Sequence, residues 1–271
     1  MTSHTSRSRK RIWLDDAHLP SAQAGAPTHV PQYSLAQVLA TWGLAALPMA
    51  ALAWVAAPWF AGQLEGPTAL PRALIAALTL GLVWQFLVVA VLVRHEQGSL
   101  RWGVVRKALW LGAPRRPDGR RMGWAWLVLV PLLIAFAVED MLPGLTVPAG
   151  RDMGVFLESA AGQSFLSGNW PWLALILTLG VFNTVLGEEL LFRGLLLPRM
   201  NGTFGKWDWV ANGVLFAVYH LHTPWVIPTA VLDAFILAYP SKRYRSAWMG
   251  IIVHSAQTVL ISVLVLAVVL R

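Results

Sequence analysis

The sequence predicts an all-α, polytopic transmembrane bundle of about seven helices (six to eight), with its N-terminus in the cytoplasm. Three observations predict it. The 271 residues are 56% apolar and only 13% charged, against about 45–50% and about 25% in soluble domains. Apolar residues gather in seven stretches, roughly 35–61, 69–93, 123–142, 169–192, 208–223, 225–239 and 247–270. The net charge of +8 sits mostly in the segments between them. Such a chain is neither disordered nor an ordinary soluble enzyme. The absence of cysteine excludes disulfides, thiolate catalysis and cysteine-ligated metal centres.

Residues 1–34 are polar, with Arg7, Arg9, Lys10 and Arg11 and prolines at 20, 27 and 31. They read as a mobile basic tail preceding one membrane domain, 35–271. A secretory signal would begin its apolar core nearer the start and keep it shorter. Most of the seven stretches approach the roughly 20 residues that a spanning helix needs. The fifth and sixth are short, divided by Pro224 and Pro228, and Pro240 ends the sixth. If all seven cross, one side holds the tail cations and eight between Arg94 and Arg121. The same side takes Arg193, Arg199, Lys206, Lys242, Arg243 and Arg245, making 18 of 21 basic residues. Only Arg72, Arg151 and Arg271 fall opposite. The positive-inside rule makes the first side cytoplasmic. The 94–122 loop, with Trp102 and Trp110 among its cations, also suits the surface of an anionic membrane. The 15 tryptophans cluster near stretch ends, as interfacial anchors do. There is no internal repeat.

Ionisable groups inside apolar stretches are functional candidates by default. Setting aside those in loops or at stretch ends, such as Arg72, Glu139, Asp140 and Asp208, they are Glu188, Glu189, Asp233, His220 and His254, with His222 beside them, all in the last four stretches. Glu189 and Arg193 are four apart on one helical face, in the favourable acid-before-base order. Glu188 lies about 100° away. One glutamate is thus expected to be held by arginine while its neighbour stays free for chemistry. A carboxylate and a histidine can share a water as general base and acid. A second histidine beside a hydroxyl or amide can stabilise an oxyanion. Thr258 is one turn after His254, and Gln257 is three residues after it. Other templates fail: there is no H-E-x-x-H helix, no G-x-S-x-G elbow and no P-loop. A Glu/His/His set could also hold zinc.

Glu188-Glu189-x-x-x-Arg193, then Phe216-x-x-x-His220, then His254 in a late stretch resemble, in order and spacing, the CPBP family. These are the CAAX-prenyl-protease and bacteriocin-processing membrane proteins, also called Abi proteins, which include the type II CAAX prenyl endopeptidases. The resemblance covers about residues 170–265. It implies a multi-helix membrane fold and a glutamic endopeptidase with no metal or other cofactor. In that mechanism Glu188 and His220 activate water, and Glu189 bonds structurally to Arg193. His254 and the residue four on form the oxyanion hole. That last position is usually asparagine in the family, and here it is Thr258 with Gln257 beside it.

The first reading is therefore an intramembrane endopeptidase acting on a membrane-anchored or lipid-modified, CAAX-like peptide. It would be a multi-pass protein of a prokaryotic cell (inner) membrane, with the bilayer and that substrate as partners and no nucleic acid. A second reading is a non-catalytic membrane scaffold or bacteriocin self-immunity protein that keeps the polar cluster for structure. A transporter would also hide carboxylates and histidines, but the missing repeat argues against it.

Overall fold

A computed structural model describes residues 30–116, 118–139, 141–142 and 145–271. The chain is an all-α polytopic membrane bundle. Among the described residues there is no β-strand, only an isolated pairing of Arg115 with Arg121. The helices are α1 (Leu35–Ala61), α2 (Ala69–Gln97), the short α3 (Trp102–Ala108) and α4 (Gly123–Glu139). Two more short helices, α5 (Met153–Glu158) and α6 (Ala160–Leu166), precede α7 (Trp170–Arg199) and α8 (Asp208–Tyr219). Next comes α9, where Ala234–Ala238 runs on into Tyr239–Tyr244, and finally α10 (Trp248–Val269).

Of these, α1, α2, α7 and α10 are long and apolar enough to cross a membrane by length and composition. Large apolar side chains stay exposed on them, including Leu47, Val55, Leu80, Val91, Val259 and Val263. Lipid tails, not protein, are the natural cover for such surfaces. The other three expected stretches are shorter than drawn. The twelve residues of α8 reach about 18 Å, against a hydrocarbon core of about 30 Å. Between α8 and α9 the chain breaks into the tight turns Pro224–Val226 and Ile227–Ala230. Prolines 224 and 228 remove backbone donors there. Gly213 lets α8 and α9 touch at backbone range, since a Cβ on it would collide with Ala234.

The expected tail lies largely outside the described residues. Its last residues, 30–34, are held against the bundle. Ser34 caps α1 and exchanges hydrogen bonds with Gln37. Tyr33 is buried, donates its hydroxyl to Glu96 and donates its backbone N–H to the Arg199 carbonyl (2.8 Å). Burial and the Glu96 carboxylate push its phenol well above the ordinary range. Arg199 is fully buried and forks onto Glu96 (Nη2–Oε2 2.6 Å). It also donates to the carbonyls of Leu195 and Ala108. This knot closes one end of the bundle, and α2 stops beside it at Gly98, whose φ of +67° suits glycine. The loop after α3 is folded onto the same end through Arg115 N to Tyr244 O (2.8 Å) and Ser246 Oγ to Gly112 O (2.7 Å). At the other end, Arg151 donates to Ala53 O and stacks on Trp54, and Arg72 lies over Phe165.

Two expectations change. Arg193 and Arg199 are not loop cations: α7 continues to Arg199, and both are 0% exposed. Several tryptophans are more than interfacial anchors. Trp42, Trp54 and Trp84 donate to the carbonyls of Leu215, Leu221 and Leu44 and tie α1 to its neighbours. Sidedness is a measurable expectation. Reporter fusions in the 94–122 loop should read as cytoplasmic, and an external reading would reverse the topology.

Candidate active site

The site is built on α7. Around its two glutamates the helix widens, with i→i+5 bonding over Phe182–Gly187 and again over Leu190–Leu196. Such widenings are rare and concentrate at functional sites. Gly187 makes room for the first, since a Cβ there would meet the carbonyl of Phe182 at 2.6 Å and that of Leu82 on α2 at 3.2 Å.

Glu189 and Arg193 form the expected ion pair (Nη1–Oε1 2.9 Å), and both are 0% exposed. Glu189 does a second thing that helical phase could not reveal. Its Oε1 also accepts from His254 Nδ1 on α10, at 3.0 Å. One carboxylate thus joins α7 to α10. The approach depends on Gly250, because a Cβ there would strike the Glu189 carboxylate and sit 3.2 Å from both Arg193 Cγ and Ser241 Oγ. The Arg193 guanidinium lies 3.9 Å over the Phe216 ring, a cation–π contact that also shields it.

Glu188 is 1% exposed and takes no part in the Arg193 pair. It has a neighbour that the sequence reading missed: Tyr219 on α8, which interacts with it electrostatically. The Tyr219 hydroxyl accepts from Gln85 Nε2 on α2 (2.6 Å). Gln85, Tyr219 and Glu188 thus stand in one buried polar cluster, and the carboxylate oxygen Oε2 is buried without a hydrogen-bond partner. Buried polar atoms left unpaired are costly and call for an explanation. Glu188 is also within electrostatic range of His254.

His220 ends α8. Its Nδ1 lies 2.9 Å from Phe216 O. A carbonyl can only accept, so Nδ1 carries the proton, and Nε2 of the neutral ring presents a lone pair. The same logic applies to His254, whose Nδ1–H is held by Glu189. Phe216 stands between the two rings, edge-on to His220 (4.9 Å) and to His254 (6.0 Å). Tyr219 and His220 are also in ring contact at 5.2 Å. Asp233 is buried nearby and interacts electrostatically with His254.

Thr258 lies one turn along α10 from this cluster. Its hydroxyl is 3.2 Å from Thr184 Oγ1 and 3.4 Å from Gly180 O, and Ser255 donates to Thr184 as well. These contacts bind α10 to α7 where Gly180 lets them close. Thr258 and Gln257 also line an apolar cavity of about 190 Å³, together with Asn183 and His222. His222 links that cavity to the cluster, because its ring stacks on His220 at 5.4 Å and touches Tyr219 at 5.3 Å. Glu188, Glu189, Arg193, Phe216, His220 and His254 thus converge, while Thr258 and Gln257 stand one turn away. Gln85 and Asn183 carried a readable signal, being lone amides in apolar stretches. Among the described residues no group of three or more His, Asp or Glu is arranged to hold a metal ion.

A buried glutamate within electrostatic range of an oriented histidine, inside a bundle of apolar helices, belongs to an integral membrane protein. Residues 169–260 match the family model described as type II CAAX prenyl endopeptidase Rce1-like. This segment, about a third of the chain, is related to the CAAX protease (CPBP) family, a family of membrane proteases, which supports a peptidase. No curated protein and no solved structure matches the chain.

Proposed function

We propose that the chain is an intramembrane, glutamic-type, metal-independent endopeptidase that cleaves a membrane-anchored or lipid-modified, CAAX-like peptide. The observation that carries this reading is the partnerless, buried Oε2 of Glu188. A water bound there would be polarised by the carboxylate, with His220 Nε2 as the second acceptor for its proton. Attack on the scissile carbonyl creates an oxyanion. His254 can donate to it from Nε2 when its ring carries both protons, with Glu189 as the counter-charge. The proton held after attack then passes to the leaving amine. Tyr219, itself held by Gln85, stands beside the Glu188 carboxylate and restricts where it can point. The apolar cavity beyond His222 suits a lipid or apolar side chain, and Asn183 and Gln257 supply amide donors where family members usually have asparagine at position 258. The setting would be a prokaryotic cell membrane.

The test is cleavage of a prenylated CAAX-like peptide by purified chain in lipid, before and after exhaustive chelation. Activity should survive chelation. Stoichiometric zinc, with activity lost on its removal and restored on its return, would make the enzyme a metalloprotease. The scaffold reading predicts no cleavage by the parent chain of any lipid-modified or membrane-anchored peptide.

A further inference from the structure

A second cavity, of about 510 Å³, opens at the end of the bundle where the basic loops meet, away from the glutamates. Trp110, Trp209 and Tyr239 wall it, and Lys206, Arg243 and Arg245 ring it. Lys242 is already committed to Asp208, but among the described residues Lys206, Arg243 and Arg245 form no ion pair. The lining thus sets four cations against the single carboxylate of Asp208, and the like charges left over repel one another. The backbone adds an independent observation. Two non-glycine residues among those described have left-handed φ, Trp110 (+51°) and Arg245 (+47°), and both line this cavity. Arg245 stands directly after Tyr244 at the end of α9, where glycine or asparagine is the usual choice. The two strained loops are zipped together by Ala247 N to Trp110 O (2.9 Å). Left-handed backbone on bulky residues persists where surrounding structure enforces it, and it concentrates at functional sites.

We propose that this cavity binds the phosphate of an anionic phospholipid headgroup. The cations supply the charge, and the wall supplies the reason for a lipid over a free anion. Trp209 packs at 5.1 Å on Phe235 and on Tyr239, and Phe235 is 61% exposed, so the cavity's aromatic wall runs into the surface that faces lipid. Basic pockets at the cytoplasmic ends of spanning helices take such headgroups, and aromatic residues sit at headgroup depth. This site does not depend on the peptidase reading.

The experiment uses the full chain in neutral detergent with short-chain phosphatidylglycerol, short-chain phosphatidylcholine or inorganic phosphate, reading binding by native mass spectrometry and Tm. Phosphatidylglycerol should bind and raise Tm, and phosphatidylcholine should do neither. The double variant Lys206→Gln, Arg245→Gly should bind it roughly thirtyfold more weakly, at the strength expected for two lost cations. Its lipid-free Tm should not fall, because glycine relieves the left-handed position. Arg243→Gln, at an exposed helical position, is the second variant and should weaken binding several-fold. Equal effects of the two lipids, or undiminished phosphatidylglycerol binding in both variants, would overturn the proposal. So would inorganic phosphate binding as tightly as phosphatidylglycerol and displacing it, which would make the cavity a soluble-anion site.

Discussion

Replacing Glu188 with glutamine should reduce peptide cleavage by at least about 10²–10⁴-fold, the range for loss of a positioned general base, while the protein folds as well as before or better. Both halves follow from the geometry. Glutamine keeps the shape of the side chain beside Tyr219, so the Gln85–Tyr219 hydrogen bond survives. The atom that changes is Oε2, which has no hydrogen-bond partner to lose. A buried carboxylate outside any ion pair is a standing cost, and removing its charge lifts that cost. The measurement is kcat on a cleavable peptide together with Tm in detergent. A variant that keeps its activity would end the peptidase role of Glu188. A variant that loses both activity and fold would make the residue structural.

The neighbouring position should behave in the opposite way. Arg193→Ala leaves the Glu189 carboxylate, 0% exposed, without its ion-pair partner. Breaking a buried pair from one side costs about 3–5 kcal/mol, enough to lower yield and Tm sharply. Glu189→Gln should cost a similar amount and also loosen His254, since the same oxygen holds both Arg193 and the His254 ring. The double variant Glu189→Ala, Arg193→Ala should be less destabilised than the sum of its parts, because no charge is left stranded. Three variants at 188, 189 and 193 with equal loss of Tm would erase the distinction between a catalytic and a structural glutamate.

Much of this was legible in the chain. Composition and the long apolar runs determine a helical membrane bundle, because a backbone in lipid must satisfy its own hydrogen bonds and a helix does so within one segment. Helical phase determines the Glu189–Arg193 pair, because residues four apart share a face whatever the helix packs against. The rarity of ionisable groups in apolar segments singles out Glu188, His220 and His254. These are local properties, carried by spacing within one element.

Tertiary structure decided whatever depends on how two helices meet. Arg199 reads as a loop cation until it is seen buried against Glu96 of α2. His254 becomes a partner of Glu189 only because Gly250 lets α10 close on α7, and one glycine in an apolar run does not announce what it lies against. Thr258 has the spacing for the turn after His254, yet its hydroxyl is held by Thr184 and Gly180 across the same helix crossing. Gln85 reaches Tyr219, beside Glu188, from a helix more than a hundred positions away, a distance over which periodicity carries no information. The physical reason is common to all four. Spacing sets which side chains share a face, but the depth and rotation of one helix against another are set by small residues and interhelical contacts, and these exist only once the bundle is packed.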